Sequence, residues 1–429
     1  MKGIALEGGS SKGAYHLGVL KALFERGYKF KGAVGTSIGA FNAAMIVQGD
    51  FDVCYNMWKN MQPETLFNVD NQFMENLVDK NIDRSMLEYA STEAKKVIAN
   101  KGIDTTKLRR ILDTYIDEDK IRASEMDFGL VTVEFDGLKP VPVEIFKEDI
   151  PKGKIKDYIM ASANLPVFKS EDIDGKFFID GGFYDNCPLR LLESKGYDDL
   201  IAVRVSPNRK LREPIKEDTK FIEIKPSEPL GRGLIFSNDT IRRNMLRGYF
   251  DRIKKIEGLK GNKYYIDGIT DDEFMNRLIS YPDEKILPYA ESRGVVGKNP
   301  KRILFENLIP ETAEALKMGK DATYQDIFIE LLESIAEGKK IKKFKVYSLD
   351  EFIDCINKSE DDDSASSKLS ELKKAAFRLA KPIEKITPIT FKESILKEFE
   401  ESMLDDIGYH VSQLESYEKN EDKDDDGWD

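Results

Sequence analysis

A serine near the start of the chain, Ser37, has the sequence surroundings of a catalytic nucleophile. It is the centre of a G-x-S-x-G pattern, Gly35-Thr36-Ser37-Ile38-Gly39, between an apolar segment that predicts a strand and one that predicts a helix. A nucleophilic serine needs such a sharp turn, because the turn exposes its hydroxyl and the glycines let neighbouring backbones approach without a Cβ clash. The helix N-terminus behind the serine favours negative charge that develops during attack on a carbonyl. The five-residue pattern also arises by chance, so the prediction depends on this strand–turn–helix context.

A glycine-rich segment upstream of this serine suits the binding of a negative charge. Residues 7–13 read Glu-Gly-Gly-Ser-Ser-Lys-Gly and lie between a predicted strand and a predicted helix, where backbone N–H groups can point at an anion. A phosphate-binding P-loop would need Lys and then Ser or Thr directly after its second glycine, but Ala14 follows Gly13. The dinucleotide-binding pattern G-x-G-x-x-G fails as well, because its third position is Ser10. Two interpretations remain: an oxyanion-binding loop, and a tight turn without chemistry.

The base that would activate a serine nucleophile is predicted to be a carboxylate. The chain has two histidines: His16 lies inside the first predicted helix, and His410 lies near the acidic C-terminal end. In the chain order Ser–Asp–His, His410 would have to return across an entire additional region. Asp180 ends a short apolar segment that predicts a strand, and sites form at the C-terminal edge of parallel strands. Gly181 and Gly182 leave room beside it. An ordinary Asp-Gly turn is the alternative.

Strands that alternate with helices are predicted to position these motifs. The first fifty residues predict strand, glycine loop, helix, strand, sharp turn and helix, which is typical of an α/β fold with a mostly parallel sheet covered on both faces. The predicted helices are Ala14–Phe24 and Ile38–Val47, and the predicted strands are Lys2–Leu6, Gly32–Val34, Phe128–Val133, Val141–Phe146, Phe177–Ile179, Leu200–Val205 and Phe221–Ile224. Residues 51–119 predict mainly helix.

The chain is long enough for a second region, and its pattern changes after Gly261. Strand signals fade there, and helical patterns follow at Glu311–Met318, Tyr324–Ile335, Lys368–Ala380 and Phe391–Met403. We predict an α/β domain over residues 1–261 and a mainly helical extension over 262–418, with an acidic linker at 359–367 and an acidic disordered tail at 419–429. A lid, an oligomerisation module and a regulator are all open for the extension, and the oligomeric state is not predicted.

Charge and cysteine content exclude several classes of protein. The net charge of −12 disfavours nucleic acid as a partner and gives no attraction to anionic lipid headgroups, so peripheral membrane contact would be apolar or local. Cys54, Cys187 and Cys355 lie far apart without metal spacing, which is typical of reduced thiols in a cytoplasmic protein. The N-terminus reaches Glu7 too early for a signal peptide, and the uncharged run 32–49 has too many polar residues for a membrane span.

Together and in this order, the three motifs resemble those of the patatin-like phospholipase family. The likeness extends to further positions on either side of the aspartate: Ala161-Ser162-Ala163, Pro166, Phe168, Asn186 and Pro188. Residues 228–249 resemble the end of many bacterial members, so the resemblance covers about residues 1–261. It implies a three-layer α/β fold, and a Ser–Asp dyad that works without histidine, metal or cofactor.

The resemblance also implies a role for each motif residue. Ser37 would be the nucleophile and Asp180 the general base, and the N–H groups of Gly8, Gly9 and Ser10 would bind the oxyanion. The supporting positions are Lys12, where the family has Arg or Lys, and the motif glycines Gly13, Gly35, Gly39, Gly181 and Gly182. Two positions depart from the family pattern. Glu7 stands where the family usually has Asp, and Ser10 stands at a glycine position, where its Cβ limits the backbone angles.

The activity that the resemblance implies is hydrolysis of a lipid or other acyl ester through an acyl-enzyme, in the manner of a phospholipase A or a lipase. The alternatives are a carboxylesterase or thioesterase that acts on small soluble esters, and a protein with a degenerate site that binds a membrane or a partner. One segment, Phe51–Met74, is rich in large apolar side chains: Met57, Trp58, Met61, Leu66, Phe67, Phe73 and Met74. They either pack in the core or form a mouth that touches the bilayer.

Overall fold

The structure of the protein is a computed structural model, which describes residues 1–61, 105–137, 139–166, 168, 172–206, 208–212, 215–233, 236–292, 299–339 and 341–358. Within these ranges the strands of the main sheet are β1 (Lys2–Leu6), β2 (Gly32–Thr36), β3 (Asp127–Asp136), β4 (Lys139–Phe146), β5 (Asp172–Ile173), β6 (Lys176–Asp180), β7 (Asp199–Val203) and β8 (Lys220–Ile224). They form an eight-stranded sheet in the order β5-β6-β3-β2-β1-β7-β8, with β4 also paired to β3. All seven strands predicted from the sequence are confirmed, and of the described strands of the main sheet only the two-residue β5 was missed.

Helices cover both faces of this sheet, as an α/β fold requires. In chain order they are α1 (Ala14–Glu25), α2 (Ile38–Val47), α3 (Phe51–Lys59), α4 (Thr106–Tyr115), α5 (Glu118–Ala123), α6 (Ile155–Ser162), α7 (Leu189–Ser194) and α8 (Asn238–Glu257). The predicted helices that became α1 and α2 are confirmed. The helical prediction for 51–119 holds at α3 and α4, and residues 62–104 lie outside the described part.

Alternate residues of the central strands belong to two different cores. On β1, Ile4 and Leu6 pack in the core beneath α1 and α2, whereas Ala5 packs on the opposite face with Leu191 and Leu192 of α7. Because side chains of a strand point alternately to its two faces, a strand that is apolar throughout must be covered on both sides. The predicted α/β fold with a mostly parallel sheet is therefore confirmed.

The strand that carries the predicted base runs in an unexpected direction. Strands β1, β2, β7, β8 and the first half of β3 are parallel, but β6 pairs antiparallel with the second half of β3. Its register places Asp180 opposite Thr132, one residue beyond the pairing of Val131 with Thr36. The expectation that Asp180 ends a parallel strand is therefore wrong. Because β3 continues past its parallel neighbours, an antiparallel partner can still end level with Ser37.

A second hydrophobic core forms in the described residues that follow Gly261. Two short parallel strands, β9 (Tyr265–Asp267) and β10 (Val346–Ser348), lie among helices α9 (Asp271–Ile279), α10 (Asp283–Ser292), α11 (Pro300–Ile303), α12 (Ile309–Ala315), α13 (Tyr324–Glu337) and α14 (Leu349–Lys358). The predicted helices at 311–318 and 324–335 are confirmed as α12 and α13, whereas β9 and β10 were not predicted. Predicted features beyond residue 358, namely the helices at 368–380 and 391–403, the linker 359–367 and the tail 419–429, lie outside the described residues.

Helix α8 joins the two cores. Its Tyr249 and Phe250 pack with Tyr265 at the start of the second region. Next to them, the buried carboxylate of Asp251 accepts hydrogen bonds from the hydroxyls of Tyr15 on α1 and Tyr265, both at 3.0 Å. The sequence-based boundary near Gly261 stays a prediction, and these contacts show how closely the two sides of it are packed.

No helix in the described ranges combines the length and the apolar character that crossing a bilayer requires.

Candidate active site

Ser37 lies on the sharp turn between β2 and α2. Its backbone has φ 55° and ψ −126°, a conformation that costs a non-glycine residue of the order of 1–3 kcal/mol and that persists where surrounding contacts impose it. The contacts are close: a Cβ on Gly39 would overlap the carbonyl oxygen of Leu6, and a Cβ on Gly35 would overlap the backbone of Gly39. The two motif glycines are therefore required by the turn itself.

A second serine, Ser162, fixes the turn through hydrogen bonds of its hydroxyl. The N–H of Ser37 donates to Ser162 Oγ at 2.8 Å, and that hydroxyl donates to the carbonyl of Val131 at 2.6 Å. Ser162 is fully buried at the end of α6. Sequence reasoning noted this residue only as part of the family resemblance, because its role depends on a contact across 125 residues.

Asp180 lies close enough to Ser37 for the serine hydroxyl to favour its carboxylate form. Its backbone N–H donates to the carbonyl of Asn164 at 2.8 Å, and its carboxylate accepts the N–H of Gly182 at 2.7 Å. The residue is only 5% exposed, and this burial raises the pKa of the carboxyl to about 6. The N–H of Gly182, the Ser37 hydroxyl and the charge of Arg209 oppose that rise, since each favours the carboxylate. Such a carboxylate is a stronger base than an exposed aspartate and is still ionised near neutral pH.

His16, the histidine in the described residues, does not lie where a base is needed. His16 is fully buried in α1, its Nδ1 lies 3.2 Å from Asn42 Nδ2, and burial lowers its pKa to about 3. Asn42 also accepts from Trp58 Nε1 at 3.0 Å and donates to the carbonyl of Gly13, so His16 belongs to the packing behind α2. His410 lies outside the described residues.

The glycine loop lies against the nucleophile, but its N–H groups are not equally available. The N–H of Gly8 donates to the carbonyl of Asn186 at 2.9 Å, and the Gly8 carbonyl accepts from the Asn186 side chain. In the described part of the chain, the N–H groups of Gly9 and Ser10 have no acceptor. The prediction that Gly8 is an oxyanion donor is therefore corrected, because an N–H already engaged by a carbonyl is not free for a substrate. Ser10 adopts φ 53°, the left-handed region that explains a glycine preference there.

Glu7 anchors this loop to the end of β7. Its buried carboxylate accepts the backbone N–H groups of Val205 at 2.6 Å and Ser206 at 2.8 Å, and it pairs with Arg204 at 3.1 Å. Gly9 is pressed against the same strand end, since a Cβ there would lie 2.5 Å from Val205 Cγ2. Glu7, which stands where the family usually has Asp, therefore has hydrogen-bond partners on both carboxylate oxygens and fixes the loop.

The remaining predicted positions surround the two motifs. Lys12 is half-buried in the single turn after the loop, where burial lowers its pKa. A Cβ on Gly13 would lie 2.8 Å from the Ile38 side chain, and a Cβ on Gly181 would overlap the carbonyl of Val131. A Cβ on Gly182 would lie 2.7 Å from the Asn186 side-chain oxygen. These glycines allow the loop, the elbow and the Asp180 turn to pack together.

An apolar cavity opens beside Ser37. Apart from Ser10 and Ser37, its lining is aliphatic, aromatic or methionine, and includes Phe41, Met61, Leu112, Met160 and Phe236. Trp58 lines it as well and has no exposed surface. The core interpretation is therefore the one that the structure favours for Trp58 and Met61, while Leu66, Phe67, Phe73 and Met74 lie outside the described residues.

Residues 4–192, a little under half of the chain, match the sequence model of the patatin-like phospholipase family, so the chain contains a patatin-like domain. Uncharacterized NTE family proteins of Mycobacterium bovis and Mycobacterium tuberculosis are 26% identical over 212 residues, which covers 47% of this chain and 48% of each relative. The chain thus spans about half the length of the curated relatives it matches.

Two solved structures are similar at 14% identity. VipD from Legionella pneumophila aligns with a TM-score of 0.37 over 88% of this chain and 83% of that chain. ExoU, in the ExoU–SpcU complex from the type III secretion system of Pseudomonas aeruginosa, aligns with a TM-score of 0.29 over 88% of this chain and 74% of that chain.

Proposed function

We propose that the protein is a serine lipid acyl hydrolase of the phospholipase A or lipase type that uses a Ser37–Asp180 dyad. The observation that carries the proposal is the position of a strained elbow serine next to a buried carboxylate, which is 5% exposed and whose pKa is raised to about 6. A nucleophile in contact with a base of suitable pKa is the arrangement that acyl transfer needs. The family match of residues 4–192 supports the same activity.

The reaction proceeds in two steps. Asp180 accepts the Ser37 proton as the hydroxyl oxygen attacks the ester carbonyl, and the resulting oxyanion accepts hydrogen bonds from the free N–H groups of Gly9 and Ser10. Asp180 returns the proton to the departing alcohol, which leaves an acyl-enzyme. Water then attacks the acyl-enzyme and gives a proton to Asp180, and Asp180 returns that proton to the Ser37 oxygen as the bond to the acyl group breaks, which releases the fatty acid and restores both residues. Each oxyanion donor contributes about 3 kcal/mol to the stability of the transition state.

The apolar cavity beside Ser37 favours an ester with a long acyl chain over a small soluble ester. Among the described residues its lining offers no polar side chain except the hydroxyls of Ser10 and Ser37, so it suits hydrocarbon. An esterase for small substrates would gain little from such a lining. A degenerate site would gain nothing from holding Ser37 in a costly backbone conformation. Cytoplasmic location and peripheral membrane contact remain predictions.

Covalent labelling combined with a lipid panel tests this proposal. We expect a fluorophosphonate probe to label the wild-type protein at Ser37, and Ser37→Ala to lose both the label and hydrolysis of acyl esters. Ser280→Ala, an exposed serine at the end of α9, is the matched control and should behave as wild type. A labelled peptide that contains another serine, or hydrolysis that survives Ser37→Ala, would refute the assignment of the nucleophile.

A further inference from the structure

A cluster of positive charge follows β7 at the edge of the sheet where Asp180 lies. Residues 208–212 read Asn-Arg-Lys-Leu-Arg, and Arg209, Lys210 and Arg212 are exposed. We call these five residues the basic loop. They stand out because the chain as a whole has a net charge of −12. None of the five lines the apolar cavity, so the cavity and the basic loop are separate surfaces that meet at the dyad.

Arg209 is the member of the basic loop that is fixed beside the dyad. Its Nη2 donates to the carbonyl of Gly182 at 2.6 Å, and the N–H of the same Gly182 donates to the Asp180 carboxylate. Its backbone carbonyl accepts from the buried Arg204, so both ends of the residue are held. Gly182 therefore links the guanidinium of Arg209 to the Asp180 carboxylate, and the hydrogen bonds to Gly182 and Arg204 fix the position of Arg209.

The guanidinium of Arg209 retains unused charge and donors. In the described residues no carboxylate lies within ion-pair distance of it, and Gly182 takes only one of its five N–H donors. Arg204, by contrast, is buried and paired with Glu7 and Glu223. An exposed guanidinium with free donors binds phosphate oxygens through charge-assisted hydrogen bonds.

We propose that Arg209 binds the phosphate of a phospholipid headgroup and makes the site select esters that carry this group close to the scissile bond. The inference rests on the proposed function. An acyl chain in the apolar cavity leaves the alcohol part of the ester to point away from the cavity. In a glycerophospholipid that part carries the phosphate a few bonds from the carbonyl. The cavity is lined by Ser37, whereas the guanidinium of Arg209 contacts Gly182 next to Asp180, and these two positions correspond to the two parts of the substrate.

The competing explanation is that Arg209 acts only on the shape of the site. It holds the Gly182 turn, and its charge lowers the pKa of Asp180, so its loss would also affect an uncharged ester. The two explanations differ in substrate dependence. Phosphate recognition affects only substrates that contain the phosphate, whereas a positioning role affects all esters alike.

Two substrates with the same acyl chains separate these explanations. Dihexanoyl phosphatidylcholine, below its micelle concentration, and dihexanoylglycerol share glycerol and both hexanoyl esters and differ in the headgroup. Monomeric substrates remove any contribution from binding to a membrane surface. Wild type, Arg209→Gln, Arg209→Lys and the neighbouring charge-removal control Lys210→Gln are compared at pH 8, where Asp180 is ionised in every variant.

We expect Arg209→Gln to lower kcat/KM for the phospholipid by roughly 10- to 100-fold more than kcat/KM for dihexanoylglycerol, because only the phospholipid loses a hydrogen bond between charged groups. Arg209→Lys should restore part of the loss, and Lys210→Gln should match wild type.

The proposal would be overturned by equal loss on both substrates, by no loss on either, or by the same selective loss in Lys210→Gln. A wild-type enzyme that hydrolyses only dihexanoylglycerol would overturn it as well. A wild-type protein that hydrolyses neither substrate and takes no label at Ser37 would instead refute the proposed function.

Discussion

The helices at the candidate site and the helices of the second region begin in different ways. Helices α1 and α2 start at Gly13 and Ser37, and neither has a side chain that caps its N-terminal N–H groups. Helices α9 and α13 start at Thr270 and Thr323, and each has a complete capping box. Helices α9 and α13 thus satisfy their first N–H groups internally, whereas α2 has the positive end of its dipole next to Ser37 without a capping side chain. A capping side chain stabilises a helix N-terminus, whereas binding of negative charge from a substrate requires the same N–H groups to be uncapped.

Asp180→Asn is the substitution at the candidate site for which we expect the largest effect. The amide keeps the size of the side chain but does not accept the Ser37 proton, so we expect kcat to fall by about 10³-fold or more while the melting temperature does not fall below that of wild type. Hydrolysis of a soluble ester and calorimetry measure the two quantities.

A histidine variant serves as the control for this experiment. His410→Ala should retain most of the activity. A loss in His410→Ala as large as that in Asp180→Asn would show that the base is a triad histidine, and the dyad would have to be abandoned.

The pH dependence of hydrolysis should report the buried carboxyl directly. Burial raises the pKa of Asp180 to about 6, so kcat/KM should fall about tenfold per pH unit below that value as the base becomes protonated. The raised pKa has the opposite effect on stability: the contribution is present below pH 4 and is lost as the pH rises through about 6, because the folded state must then hold a buried charge.

The measurements for this prediction are a pH–rate profile with an uncharged soluble ester and melting temperatures of wild type and Asp180→Asn between pH 4 and 8. Wild type should lose more stability than the variant over that range. His16 does not account for a titration near pH 6, because burial lowers its pKa to about 3. A profile that stays flat down to pH 4 would contradict a raised pKa at the base.

The smallest expected effect is at the capped helices. Thr323→Ala removes an oxygen that accepts the Asp326 N–H at 3.1 Å, so we expect the free energy of unfolding to fall by about 1 kcal/mol without any change in kcat. Thr323→Ser keeps the hydroxyl and is the matched control. Chemical denaturation measures the difference. A fall in kcat in Thr323→Ala would show that the second region is coupled to the site, which the contrast in capping does not suggest.

Local sequence signals predicted the central sheet and the two motif turns, but they failed where direction or distant contacts decide. Period and composition identify the strand that ends at Asp180, yet its antiparallel direction depends on how far β3 extends beyond β2. Gly8 and Gly9 are indistinguishable in sequence, and only the carbonyl of Asn186, 178 residues away, separates their roles. The role of Ser162 and the ion pair of Glu7 with Arg204 could not be predicted either, because both depend on contacts between residues far apart in the sequence. The short strands β9 and β10 were missed because each has only three residues.

The carboxylate shared by Tyr15 and Tyr265 has a consequence for the independence of the sheet-containing half. A chain cut at Gly261 would keep every strand of the main sheet and both dyad residues. It would also remove Tyr265 from Asp251 Oδ1 and uncover Phe250, whose ring packs 5.1 Å from the ring of Tyr265. The carboxylate would then lose a hydrogen-bond donor, and it lies on the helix that packs against α1, which begins directly after the glycine loop. The shortest fragment that folds as this half does is therefore longer than the fragment that contains its chemistry.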